Sequence, residues 1–215
     1  MPDLSNRKLV LIGGGGHCAS VCDTLRKCGI YDEIVITDKE LPEGSISCGC
    51  TVAGTDDKLP ELFAKGYTDA VITVGSINDD SVRRKIADGA DGIGFSVPII
   101  MDPSASVAED AVVSDGVFVG KQAVINAGSR IGRFAIINTS AVVEHNCSIG
   151  DFTHISIGAV VCGDCVIGDD VFIGANATVI QGVSIGSNSI IGAGSVILAD
   201  VPDNMTVKGI WKGHS

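Results

Sequence analysis

The sequence predicts two architectures in one chain: a small α/β N-terminal domain of Rossmann-like type, then a parallel β-solenoid built from hexapeptide repeats. Three observations predict it. Aromatic residues are only 4% of the chain while glycines number 28, a balance that suits a narrow interior. From Val107 to Ile197 every sixth residue is Val or Ile, sixteen in succession. Upstream of that rhythm, hydrophobic runs alternate with glycine turns and helical segments.

The upstream elements come first. "KLVLIGGGGHCASVCDTLRKCGIYDEIVITDKE" reads as strand, glycine-rich turn, helix and strand, with Asp38 near its end. "TDAVITVGSINDDSVRRKI" reads as a further strand, turn and helix. This alternation implies a small parallel sheet. Gly14-x-Gly16-x-x-Ala19 satisfies the relaxed dinucleotide fingerprint, and Asp38 follows at the distance that meets a ribose hydroxyl. About 100 residues precede the repeat, room for one mononucleotide-binding half, so a nucleotide-linked ligand is favoured over NAD. The alternative reading is a glycine turn that serves only close helix–strand packing.

The repeat fits neither an amphipathic helix nor a long alternating strand. It fits a short strand and a turn, repeated, with one β-branched side chain pointing inward per strand. Four places after each inward aliphatic stands a small or β-branched residue, from Ala111 and Val117 through Cys147, Thr153 and Cys165 to Val201. Gly or Asn often follows the aliphatic directly (Gly120, Asn126, Gly132, Asn138, Gly150), as expected of corners with unusual backbone angles. Three strands per coil give a coil of 18 residues and about five coils, ~25 Å in length. The domains expected are 1–100 and 101–215.

Charge and composition narrow the function. A formal charge of −11 and a pI near 4.6 exclude nucleic acid, whose phosphates demand a basic face. The N-terminus lacks an apolar signal segment, and no apolar run is long enough to span a bilayer. A soluble, cytoplasmic chain with no membrane partner is expected. The eight cysteines are then read as reduced thiols filling small apolar spaces, and no metal site is expected. Cys162-Gly-Asp-Cys165 and Cys48-Gly-Cys50 differ in spacing and make a weak zinc signal. The repeat places Cys147 and Cys165 in its inward slot.

The histidines are His17, His145, His154 and His214. His145 stands two places after an inward aliphatic, a slot that elsewhere holds Glu109, Asp115, Lys121, Asp151 and Asp169, so it faces solvent. An imidazole there suits proton transfer near neutral pH.

The order of these parts, with Gly13-Gly14-Gly15-Gly16-His17, Asp38, Gly75, Asn138-Thr139-Ser140, Glu144-His145 and Ile149-Gly150-Asp151-Phe152-Thr153-His154, resembles the sialic-acid acetyltransferase and PglD-like sugar acetyltransferases across nearly the whole chain. The resemblance supplies the left hand of the β-helix. It implies acetyl-CoA-dependent transfer onto a nucleotide-linked amino sugar of the UDP-4-amino-4,6-dideoxy-hexose type in bacterial glycan synthesis. His145 would be the general base, with Glu144 and Asn146 beside it. His154, Ala175 and Ala193 would contact acetyl-CoA. Gly15, Gly16, His17, Asp38, Gly75 and Asn138 would hold the nucleotide sugar. A homotrimer would enclose the cofactor between neighbouring solenoids. Relatives carry an acidic residue after the histidine, where this chain has Asn146, and a second acidic residue after Asp38, where it has Lys39. Trp211 falls where relatives have a G-x-P-A-K ending, and could stack on adenine or pack at the solenoid end. O-acetylation of a sialic acid is an alternative. From other classes come an inactive structural solenoid and a γ-type carbonic anhydrase, whose three metal-binding histidines exceed the two in this repeat.

Overall fold

The structure is a computed structural model that describes residues 7–75 and 81–213; the turn expected at 76–80 and His214 lie outside the described residues. Described residues up to Pro98 form one compact unit, and those from Ile99 onward another.

In the first unit β1 (Lys8–Ile12), α1 (Gly16–Cys28), β2 (Glu33–Thr37), β3 (Ile46–Ser47), β4 (Cys50–Gly54), α2 (Leu59–Ala64), β5 (Tyr67–Ile72) and α3 (Ser81–Ile93) follow in order. The sheet order is β3-β4-β2-β1-β5. β1 lies at its heart, with Leu9 to Ile12 fully buried, and pairs in parallel with both β2 and β5. α1 buries Cys18, Val21, Cys22 and Leu25, the face expected of an amphipathic helix. It ends on Gly29, whose φ of 60° lets its N–H reach the Leu25 carbonyl. The sheet is not wholly parallel. β3 runs antiparallel to β4 across a two-residue turn, Cys48-Gly49, with φ of 50° and 74°. Both angles being positive is what a tight hairpin turn of matching twist requires.

The second unit is a left-handed parallel β-helix of three faces. Each of the sixteen repeat aliphatics closes a two-residue strand, and every strand as far as Thr178–Val179 pairs with the one 18 residues on, as Val124-Ile125 does with Val142-Val143; the last three pair 14 or 16 residues on. Successive strands go to successive faces. Ile136–Ile137 lies on the first, Val142–Val143 on the second, Ser148–Ile149 on the third, and His154–Ile155 returns to the first. From Val117 onward the inward aliphatics and the small residues between them form one continuous buried core. Burying each Val or Ile there contributes roughly 1.5–3 kcal/mol relative to exposure. Cys147 and Cys165 belong to that core. So does Trp211 at its rim: the indole packs on the core and donates to the Asp200 carbonyl at 3.0 Å, the packing role at the solenoid end.

One expectation needs correction. The left-handed corner is the third residue after the inward aliphatic, not the first. Every hexad from Val113 to Ile191 has a positive φ there, on Asn, Asp, Gly, Gln, Ser or Phe. The glycines directly after the aliphatic serve close approach instead. A Cβ on Gly150 would lie 2.4 Å from the Gly168 carbonyl carbon, and one on Gly174 would lie 2.5 Å from Ala193 N. At these corners the next coil's backbone occupies the space a side chain would need.

The two roles separate by mutation. Gly150→Ala forces the next coil's backbone to move and should cost about 1–3 kcal/mol. Asn188→Gly keeps its positive φ (58°) within reach and should cost well under that. Denaturant unfolding of both variants checks the contrast; equal losses would refute it.

Candidate active site

His145 is placed by three successive corner residues. Val143 is fully buried and fixes the strand; Glu144, His145 and Asn146 then turn from the second face to the third. Asn146 takes the left-handed corner with φ 59°, a conformation Asn adopts readily. Its identity therefore has a backbone reason as well as a chemical one.

The 18-residue register brings the next coil beneath this corner. His145 lies over Gly163, and a Cβ on Gly163 would stand 2.4 Å from the ring's Cε1 and 2.5 Å from Nε2. Glycine is the residue that lets the imidazole lie there. Asn146 lies over Asp164. Its Nδ2 donates to Asp164 Oδ1 at 3.0 Å and lies 3.3 Å from His145 Nδ1. Gln181 Nε2, a further coil on, donates to Asp164 Oδ2 at 3.0 Å. His145 Nδ1 itself is 4.0 Å from Asp164 Oδ1, with both side chains about half exposed at 46%. The hydrogen bond from Asn146 is the main influence on the Asp164 carboxyl. With Gln181 and the nearby imidazole it outweighs the small effect of burial and holds the group below the usual carboxylate range. An acidic side chain, absent from position 146, thus stands near the ring from one coil on.

Glu144, expected beside His145 in the catalytic group, faces elsewhere. Its Oε2 accepts from Asn126 Nδ2 at 3.1 Å and from the His145 backbone N–H at 3.0 Å, and its carbonyl accepts from the Ser129 hydroxyl. It braces the corner's backbone instead of contacting the ring. Asp164 and Gly163 were not singled out from sequence. The signal for them is arithmetic: they stand 18 residues after Asn146 and His145.

The other expected solenoid residues gather along the first face and its edge with the second. His154 points outward from the first face. Asn138 Nδ2 donates to its Nε2 at 3.1 Å, while Asn138 Oδ1 accepts from Thr139 N at 2.7 Å, so the amide orientation is fixed and the neutral ring carries its proton on Nδ1. Phe172, one coil on, meets the ring edge-to-face with centroids 5.2 Å apart. Asn138, expected among the sugar-binding residues, is thus a partner of the residue expected at the cofactor. Ala175 and Ala193 stand one coil apart on the edge that Asn138 opens, and Gly194 N donates to Ala175 O. His145 sits on the corner between the second and third faces, which lies across the coil from the first face. Within one chain the two histidines point away from each other.

In the N-terminal unit the expected residues converge at the carboxyl ends of β1, β2 and β5, where open α/β sheets bind ligands. Gly15 and Gly16 are exposed, with open space around both α-carbons, and Gly15 caps α1. No side chain caps the helix, so its first turn presents backbone N–H groups to an anion. A Cβ on Gly75 would stand 3.9 Å from His17 Cβ. Asp38 clamps the glycine turn: Oδ2 accepts from Gly14 N at 2.6 Å, and Oδ1 from Glu40 N and Leu41 N at 2.7 and 3.1 Å. Burial opposes its charge, but these three bonds outweigh it and hold the carboxyl below the usual range. Oδ2 keeps a lone pair for a further donor. Among the described residues no helix is long and apolar enough to cross a membrane.

A methyl group at position 163 tests the ring's seat. Gly163→Ala should displace the imidazole and lower kcat/KM by roughly a hundredfold, as an ångström-scale misplacement does. Circular dichroism should show the fold retained; full activity would remove Gly163 from the site.

Comparison with known proteins follows these features. Residues 8–90 match the family model described as PglD N-terminal domain, and residues 146–181 and 164–199 match bacterial transferase hexapeptide (six repeats). The acetyltransferase domain of PglB from Neisseria gonorrhoeae, solved in complex with acetyl coenzyme A, is 38% identical; the match covers 95% of this chain and 97% of that one, with a TM-score of 0.88. PerB from Caulobacter crescentus, solved with CoA and GDP-perosamine, is 37% identical over 94% of each chain, with a TM-score of 0.85. WeeI from Acinetobacter baumannii, at 22% identity and a TM-score of 0.79, shares the fold over 95% of this chain and 97% of its own. Comparison with curated proteins finds no match. Its glycine turn, its coil register and these likenesses together establish that the chain belongs to the PglD-like sugar acetyltransferases of the hexapeptide-repeat class.

Proposed function

We propose that this chain is an acetyl-CoA-dependent N-acetyltransferase acting on a nucleotide-linked amino sugar, with His145 as general base. The observation that carries the reading is the half-exposed imidazole seated over Gly163 beside Asp164. The amine attacks the thioester carbonyl, and the imidazole takes its proton as the C–N bond forms; CoA leaves as the thiol or thiolate. Taking a proton at Nε2 requires Nδ1 to carry the other. Asp164 Oδ1, at 4.0 Å, is the acceptor available to that N–H and closes to hydrogen-bond distance as substrate binds. Asp164 then balances the imidazolium's charge. Asn146 and Gln181 hold the carboxylate in position, and the 3.3 Å contact of Asn146 Nδ2 with Nδ1 is given up when Nδ1 carries its proton.

His154, fixed by Asn138 and Phe172, contacts acetyl-CoA along the edge that also carries Ala175 and Ala193. Since His145 and His154 of one chain face opposite sides of the coil, a complete site needs His145 from one protomer and the His154 edge from its neighbour. This supports a homotrimer with three shared sites. Gly15, Gly16, His17, Asp38 and Gly75 of the N-terminal unit take the nucleotide sugar, its phosphates meeting the α1 N-terminus and a hydroxyl meeting Asp38 Oδ2. The reading places the chain in the cytoplasm, where acetyl-CoA is available. A UDP-linked 4-amino-4,6-dideoxy sugar is the expected substrate. The GDP-perosamine bound by PerB makes a GDP-linked sugar the second choice.

Three measurements test this. Steady-state assays with acetyl-CoA and either UDP- or GDP-linked amino sugar should show turnover, and free sialic acid should not; O-acetylation of sialic acid alone would overturn N-acetyl transfer. His145→Ala should lower kcat by about 10²–10⁴-fold. Co-expressing His145→Ala with His154→Ala should restore activity that neither variant shows alone, because mixed trimers regain intact sites. A mixture as inactive as its components would rule out shared sites.

A further inference from the structure

The N-terminal unit gathers thiols that its sequence scatters. Cys18 and Cys22, four apart on α1, share its buried face with sulfurs 3.8 Å apart. The β3–β4 turn brings Cys48 to them, and the sulfurs of Cys18, Cys22 and Cys48 all lie within 4.8 Å of one another. Cys50, two residues further, is buried beside Cys22, its thiol directed to the Cys48 carbonyl at 3.9 Å. A tetrahedral zinc holding thiolates at about 2.3 Å sets their sulfurs roughly 3.8 Å apart. Cys18 and Cys22 already stand at that spacing, and Cys48 lies within 4.8 Å of both.

The turn gives an independent indication. Two-residue turns with positive φ at both positions favour Asn or Asp before Gly. Cys48 holds φ 50° without the local hydrogen bonding that makes Asn suitable. A turn selected for folding alone would carry Asn there; a thiol at its tip serves something else. Arg26, one helical turn beyond Cys22, lies against Gly49, where a Cβ would stand 2.7 Å from its Nη2. Its charge offsets part of the negative charge that clustered thiolates would carry. Cys18, Cys22 and Cys50 are buried, while Cys48 is half-buried and leaves a path from solvent.

We propose that Cys18, Cys22, Cys48 and Cys50 form a structural thiolate site for zinc, fastening the β3–β4 hairpin to α1. Each ligating thiol gives its proton to solvent as its sulfur binds the ion, and no oxidation state changes. The inference does not rest on the acetyltransferase reading. Its consequence is mechanical: a bound ion ties the sheet's edge hairpin to the helix whose first turn carries Gly15 and Gly16.

The full chain, purified without chelator, is analysed for zinc by mass spectrometry and then loaded with Co²⁺. About one zinc per chain is expected, with a thiolate-to-cobalt charge-transfer band in the near ultraviolet. Cys48→Asn suits the turn and leaves it folded, yet should reduce retained zinc by roughly tenfold or more and abolish the band. Cys28→Ser, at the far end of α1, should leave both unchanged. Chelation should lower the unfolding midpoint of the wild type and leave that of Cys48→Asn unmoved. Any of three results overturns the proposal: no zinc and no band in the wild type, zinc undiminished in Cys48→Asn, or a disulfide joining two of the four cysteines in freshly purified protein.

Discussion

Backbone hydrogen bonding between residues 18 apart is the constraint on which the C-terminal unit depends. Each two-residue strand is too short to stand alone, and its N–H and C=O groups are satisfied by the coils on either side, as when Glu144 N bonds Val161 O and Asp164 N bonds His145 O. That ladder makes position in the sequence equivalent, modulo one coil, to position on the surface. Gly163 lies beneath His145 and Asp164 beneath Asn146 because the register allows no other neighbour. The chemistry at His145 is therefore held by the same bonds that hold the fold.

The ladder also explains how so few aromatic residues suffice. The interior is one β-branched side chain and one small side chain wide per hexad, so Val, Ile, Ala, Ser, Thr and Cys fill it. The buried hydroxyls within it are satisfied by backbone: Thr153 donates to Gly168 O at 2.7 Å and Ser129 to Glu144 O at 2.7 Å. Ser129 thereby joins the core to the corner that carries His145.

Much of this was legible in the sequence because its period is regular. The sixteen aliphatics located the strands, and the exposed slot two places later identified His145 as surface chemistry. What was misread followed from looking at neighbours in the chain instead of neighbours in space. Glu144 adjoins His145 in sequence but turns to Asn126, whereas Asp164 is a coil away and stands 4.0 Å from the ring. The corner glycines were assigned to backbone angle because glycine serves that need so often, yet close packing between coils is what requires them. In the N-terminal unit the glycine turn and Asp38 were visible as a motif. The grouping of Cys18 and Cys22 with Cys48 was not, since it depends on an antiparallel hairpin whose strands leave little pattern over so few residues.

The repeated corner also sets how such a chain can change in length. Losing one residue from a strand would turn every later inward aliphatic toward water and break the stacking of Asn146 on Asp164 at once. Gaining or losing a whole coil breaks neither, provided it happens away from the histidine corner. Descendants of this gene should thus differ within the solenoid by multiples of eighteen codons, or by loops extruded at the corners, and the rest of the ribbon will have been closed to insertion.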